Sequence, residues 1–212
     1  YPLDVDTEVA IVEQEADMPA VEGVDVAVPS FMTEICANIS HAARASQQVN
    51  QRSGVSVRLS ISNTEVMVAN AVRRSLRSGA THVVPRVVDL DALPASTSGK
   101  IEIETLDEGR DQEILENLVR AATLAVFKDR VPPDSHRAVV DAFEGDVVVD
   151  TGEDVTDDAY AGLLEQIPAL AAPVKALLAE EDPGDAESPA MIASAIELVL
   201  EGLHLSKRLN KD

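Results

Sequence analysis

Tryptophan is absent from this 212-residue chain, and two Tyr and three Phe bring the aromatic share to only 2%. A core with so few rings has to be built from Ala, Val, Leu and Ile, which suits close helix packing. It also leaves few platforms on which the bases of a single-stranded nucleic acid could stack. Cysteine is nearly absent: Cys36 stands alone, so it cannot close an internal disulfide and fits no zinc-ligand spacing. Its place on an apolar helical face predicts a small core residue, and the cysteine usage points to a reducing compartment. Lysine is scarce too, five residues against twelve Arg, and the 17 basic residues face 38 acidic ones. The net charge of -21 excludes DNA or membrane binding by the surface as a whole, because attraction to phosphate needs a positive field. A chain this acidic repels itself at low ionic strength and is relieved by salt. Adaptation to a very salty cytoplasm and an ordinary acidic protein are both compatible with that balance. No apolar run approaches the length of a membrane span, and no signal-like segment opens the chain. It starts at Tyr1 without methionine, which reads as a piece of a longer protein.

Catalytic signatures are missing as well. There is no G-x-x-x-x-G-K-[ST], so the chain has no P-loop of its own, and no H-E-x-x-H. His41, His82, His136 and His204 are scattered and suggest no metal site. Acid pairs such as Asp157-Asp158 and Glu180-Glu181 read as solvated faces rather than catalytic dyads. Ser56 and Ser60 lack any local sign of an activated nucleophile.

What is present is a basic island. From Ile35 to Val88 there are seven arginines (Arg44, Arg52, Arg58, Arg73, Arg74, Arg77, Arg86) and one acid, Glu65. An anionic ligand or an acidic partner surface is the physical candidate for such a stretch. Arg58 follows a turn at Gly54 and precedes an S-x-x-E capping box, Ser62 to Glu65, which predicts a helix start there. An arginine near the positive end of a helix suits a phosphate arriving from outside; the plainer reading pairs it with a local acid. Val66, Ala69, Val72 and Leu76 are expected to form the buried stripe of that helix, ended by Gly79.

The rest of the chain is mainly helical by its spacing. Helices are expected over Glu8–Ala16 capped by Thr7, from Pro29 or Ser30 to about Gln47, and over Arg86–Leu90. Further helices are expected over Asp107–Arg130, Asp134–Phe143, Asp157–Gln166, Val174–Glu181 and from Pro189 onward. Pro94–Gly99 and the acidic EEDPGDAES read as loops. Lys100–Thr105 alternates apolar and charged residues, which suits a strand, with a helical alternative open; Gly145–Asp150 suits a short strand or an extended connection.

The run Gln51-Arg-Ser-Gly-Val-Ser-Val-Arg58-Leu-Ser resembles the sensor-2 segment of the MoxR and magnesium-chelatase group of AAA+ ATPases, in the chelatase-like or sigma-54-type branch. The flanks follow the same order. Tyr1-Pro-Leu and TEVAIVEQEA look like the passage from an ATPase core into its helical lid. VVPRVVDLDALPASTSGKIEIE and ELVLEGLHLSKRLNK look like that branch's C-terminal extension.

The resemblance implies a lid bundle over residues 1–99 and a helical extension over 100–212, with at most one or two short strands. It implies a ring-forming ATPase whose ATP and Mg2+ are held mainly by a core upstream of Tyr1, so that the chain alone is inactive. Arg58 would be the sensor-2 arginine reaching the γ-phosphate, with Arg52 a weaker second candidate, and Arg73, Arg74 and Arg77 could face a neighbouring subunit. A von Willebrand factor A domain partner and a cytoplasmic setting are expected with it. The competing class is a non-enzymatic helical module that docks an acidic partner through the basic island.

Overall fold

The computed structural model describes residues 4–50, 52, 54–104, 110–144 and 147–211. The fold is mainly helical. Asp4 caps the first helix, α1 (Val5–Glu15), by accepting from the Thr7 backbone N–H at 2.7 Å. The cap therefore falls three residues before the Thr7 expected from the sequence. A two-residue strand, β1 (Asp25–Val26), leads into α2 (Ser30–Ala45). Phe31, Ile35, Ile39 and Ala43, at helical spacing, form the buried apolar face of α2, with Cys36 buried as its apolar setting predicts.

The next helix, α3 (Arg58–Ser78), differs from its expectation in two ways. It starts four residues before Ser62, without a side-chain cap, because Ser56 serves its first turn: its Oγ lies 3.3 Å from the Arg58 N–H and its carbonyl accepts from Leu59. Its buried face also takes only Val72 from the expected apolar stripe. Ala69 and Leu76 are exposed, Leu76 by 61%, and Val66 is half-buried. The core instead receives Leu59, Ser60, Asn63, Thr64, Met67, Val68, Ala71, Val72, Arg74 and Ser75. Half of these are polar, and each polar side chain among them takes a hydrogen bond: Thr64 to the Ser60 carbonyl, Ser75 to the Val72 carbonyl, Asn63 from Thr97. Burial of polar groups so paired costs little, which lets the helix turn this face inward, although Asn63 Nδ2 is buried without a partner among the described residues.

Beyond Gly79, whose φ of 77° forms the left-handed end of α3, β2 (His82–Val83) pairs in parallel with β1, Asp25 opposite His82 and Val26 opposite Val83. A 3-10 turn at Val87–Ala92 then runs into α4 (Leu93–Ser98), where a loop was expected. Pro94 sits in the first turn of α4, where its missing N–H costs nothing, and Leu93, Pro94 and Thr97 are buried. The alternating run after it pairs only once, Ile103 against Val49, with Asn50 donating to Glu102 and Glu104 to Gln48. Thr105 lies outside the described residues.

The second half comprises α5 (Asp111–Arg130), α6 (Pro133–Ala142), α7 (Asp157–Gln166), a 3-10 turn at Pro168–Leu170, α8 (Ala171–Leu177), the single turn α9 (Pro183–Ala186) and α10 (Pro189–Leu205). The expected caps at Thr156 and Ser188 are present, accepting from Ala159 and Met191. Gly145 and Asp146 lie outside the described residues; Val147 to Asp150 form no strand, and Val148 is exposed.

Helix α10 is buried almost all round, with Ile196, Leu198, Val199 and Leu203 in the core. A fully buried side chain of this size contributes about 1.5–3 kcal/mol. Gly202 lets α10 approach α5, since a Cβ there would lie 2.1 Å from the Phe127 ring. One hydrophobic cluster takes in Phe31, Met67 and Leu90 together with Phe127, Ile196 and Leu203, so the core is continuous across residue 99. A smaller cluster of Ala43, Val49, Val55, Leu59, Ile101, Leu115 and Leu118 packs the loop that leads into α3.

Candidate functional site

The structure sorts the arginines of the basic island into three environments. Arg44, Arg74 and Arg86 face inward. Arg73 and Arg77 lie half-exposed against acids of the 152–158 loop. Arg52 and Arg58 point outward.

Arg58 is the first residue of α3, and its side chain is exposed. Among the described residues it forms no ion pair and no side-chain hydrogen bond. The same holds for Arg52, whose backbone N–H donates to Asn50 Oδ1 at 2.8 Å. Between them Gly54 adopts φ 70°, a left-handed conformation that glycine takes without strain, and so turns the chain into the helix. The helix start sets the positive end of a 21-residue dipole beside Arg58, while the Arg58 and Leu59 N–H groups are already taken by Ser56.

Beneath this exposed rim lies a buried ionic cluster. Glu8 of α1 is fully buried, and both its oxygens receive the Arg44 guanidinium, Nη2 to Oε1 at 3.0 Å. Ser60 Oγ donates to Glu8 Oε1, and Ser40 Oγ lies within hydrogen-bond reach of Ser60 Oγ. His41 Nε2 is 3.0 Å from Glu8 Oε2, and Arg44 Nε donates to the Val55 carbonyl at 3.0 Å. Burial works to raise the Glu8 carboxyl, but the hydrogen bonds from Arg44 and Ser60 and the charges of Arg44 and His41 outweigh it. The group is held below the ordinary glutamate value.

The opposite end of α3 is built differently. Arg74, expected at a subunit boundary, is buried and turned inward. Its Nη2 lies 2.9 Å from Asp89 Oδ2 and 3.0 Å from the Val84 carbonyl. Its position between Ala71 and Ser75 on the inner face leaves it nothing to offer a neighbour. Arg86 is fully buried, stacked 4.9 Å over the Tyr160 ring, with Nη1 on the Val155 carbonyl and Asp157, and Nη2 on the Gly152 carbonyl. Its Nε is 3.3 Å from Glu197 Oε1, and Glu197 Oε2 accepts from the Val88 N–H. Burial raises the Glu197 carboxyl above its ordinary value, although Arg86, Tyr160 and the Val88 N–H pull the other way.

Arg77 pairs with Glu153 at 2.9 Å and Asp154 at 3.6 Å, and Arg73 with Glu153 at 3.7 Å. These pairs border a groove of about 680 Å³ that also receives His82, Asp157, Asp158 and Pro189. Arg73 and Arg77 are thus accessible but already matched by acids of their own chain.

Sequence reasoning missed the inward partners. Glu8 was read as a helix-opening residue, yet it lies one turn from the buried Val12, and that register was the available signal. Tyr160 and Glu197 carry no local mark, since Arg86 meets them only through the fold, whereas Asp89 accepts the Arg86 backbone N–H from three residues on. Among the described residues no group of three or more His, Cys, Asp or Glu side chains is arranged to hold a metal ion. No helix among them is long and apolar enough to cross a membrane. No protein-family model matches the chain, and no curated protein or solved structure matches it significantly.

Proposed function

We propose that this chain is the lid of a AAA+ ATPase of the MoxR and magnesium-chelatase kind, with Arg58 as its sensor-2 arginine. The observation that carries the reading is the contrast within the basic island. Five of its seven arginines are matched by carboxylates of this chain, whereas Arg58 stands exposed and unpaired among the described residues at the first turn of α3. An unpaired guanidinium beside a helix N-terminus is suited to an oxyanion. The sequence Gly54-Val-Ser-Val-Arg58 carries the family resemblance at the same point.

In this reading the ATP and its Mg2+ are held by a P-loop core upstream of Tyr1, and Arg58 closes on the γ-phosphate. There it stabilises charge developing on the transferred phosphoryl group and couples nucleotide state to lid position. A homo-oligomeric ring and a von Willebrand factor A domain partner follow from the family reading. Arg73 and Arg77 remain candidates for a subunit boundary, and Arg74 drops out. Arg52, exposed on the same rim, is the second phosphate candidate.

Two tests apply. The reading frame before Tyr1 should encode a strand followed by G-x-x-x-x-G-K-[ST]; without one, the helical interaction module becomes the better account. In the complete protein Arg58→Ala should cut ATP hydrolysis by about tenfold or more, the effect of losing one transition-state contact. A salty cytoplasm is one setting compatible with the net charge of -21. Circular dichroism should show tighter folding in molar salt than in low salt, and identical spectra and melting would remove that idea.

A further inference from the structure

We infer that the ion pair between buried Glu8 and Arg44, with buried Ser60, is the positioning device for Arg58, an inference that rests on the sensor-2 reading. Arg58 reaches outward on a long, exposed side chain, so its backbone has to be fixed from below. The structure fixes it from both sides. Three residues before it, the Val55 carbonyl accepts from Arg44 Nε at 3.0 Å. Two residues after it, Ser60 Oγ donates to Glu8, the carboxylate that the same Arg44 holds with its two terminal nitrogens. One ion pair therefore grips the chain on either side of Arg58.

Val55, Leu59, Ser60 and Glu8 are all buried, and Val55 and Leu59 pack in the small cluster with Ala43, Val49, Ile101 and Leu115. Ser40 and His41 of α2 complete the contacts to Ser60 and Glu8. Glu8 belongs to α1, the first helix in chain order, so a displacement of α1 would be passed through Glu8 and Arg44 to the backbone that carries Arg58. None of these groups touches the phosphate in this account; Glu8, Arg44 and Ser60 are positioning residues. A merely structural role would hold α1, α2 and α3 together without bearing on Arg58.

Ser60→Ala is the sharpest variant, because it releases the downstream anchor and keeps the Glu8–Arg44 pair. In the complete ATPase, Ser60→Ala and Arg44→Lys should each lower kcat by roughly tenfold, with KM for ATP changing less, as expected for a misplaced transition-state group. In an Arg58→Ala background, Ser60→Ala should cost nothing further, since the group it positions is gone. An Arg58→Ala enzyme that is impaired while Ser60→Ala is fully active, or losses that simply multiply, would overturn the positioning role alone. Normal hydrolysis by Arg58→Ala would remove the sensor-2 role and this one with it.

Hydrogen exchange on the 212-residue chain guards against variants that fold poorly. Ser60→Ala should speed amide exchange at residues 55–60 by about tenfold while leaving α10 unchanged. Unchanged exchange at 55–60, or equal loss of protection at α10, counts against the device.

Discussion

The two ends of α3 use arginine in opposite ways. At the C-terminal end Arg74 is buried against Asp89, and Arg86 just beyond is closed in by Asp157, Glu197, Tyr160 and the Gly152 and Val155 carbonyls. At the N-terminal end Arg44 is partly buried and pairs with the fully buried Glu8, and Arg58 is left outside with no described partner. The difference teaches that a surplus of basic residues in sequence is not a surplus of basic surface. Most of the island's charge is cancelled by acids that folding brings to it. Among the described residues, what remains of the island without a carboxylate partner is the rim of Arg52 and Arg58.

Breaking the C-terminal end should have the largest effect. Arg86→Ala leaves Glu197 buried without its cation, and urea unfolding should show a loss of about 3–5 kcal/mol. Replacing both partners by apolar residues, Arg86→Met with Glu197→Leu, should recover much of that loss, because the burden is the unpaired charge rather than the missing pair. Arg74→Ala strands Asp89 in the same manner and should cost about 3 kcal/mol by the same measurement. By contrast Arg58→Ala should change stability by no more than about 0.5 kcal/mol, the range of exposed sites.

The buried carboxylates of the two ends should also titrate with opposite consequences. Glu8 is held low, so its contribution is present above the unfolded value of about 4.3 and is lost as pH falls through its lower folded value. Glu197 is pushed up, so its contribution is present below about 4.3 and is lost as pH rises through its higher folded value. In urea unfolding between pH 3 and 8, Glu8→Gln should flatten a rise of stability with pH, and Glu197→Gln a fall. The same slope in both variants would break the contrast.

The smallest effect belongs to the half-exposed arginines. Arg77→Ala removes pairs to Glu153 and Asp154 and should cost about 0.2–1 kcal/mol at low salt, vanishing in molar salt. A larger loss would mean that the 152–158 loop depends on this latch.

How much of this was legible in the sequence differs between elements for a physical reason. Helices α2, α5 and α10 could be read because each buries an apolar stripe at helical spacing, as Phe31, Ile35 and Ile39 do in α2. Helix α3 could be recognised as a helix but its inner face could not. Apolar spacing favoured Val66, Ala69, Val72 and Leu76, whereas the core takes only Val72 of these and adds Asn63, Thr64, Arg74 and Ser75, whose burial depends on hydrogen-bond and ion-pair partners. Helix α4 was obscured because PASTS is loop-forming in isolation and is stabilised by burying Leu93 and by the Thr97–Asn63 bond.

The site was legible in the same uneven way. Gly54 and Arg58 announce a turn and a helix end locally. The Glu8–Arg44 and Arg86–Glu197 pairs join residues 36 and 111 positions apart, and no local pattern encodes them.

The central claim is that Arg58, unlike the buried arginines, is held for a phosphate rather than for the fold. Arg58→Ala in the complete protein tests it, with ATP hydrolysis and urea stability measured on the same sample. The account predicts hydrolysis reduced by about tenfold or more at unchanged stability. Hydrolysis at the normal rate, or a stability loss as large as that of Arg74→Ala, would contradict it.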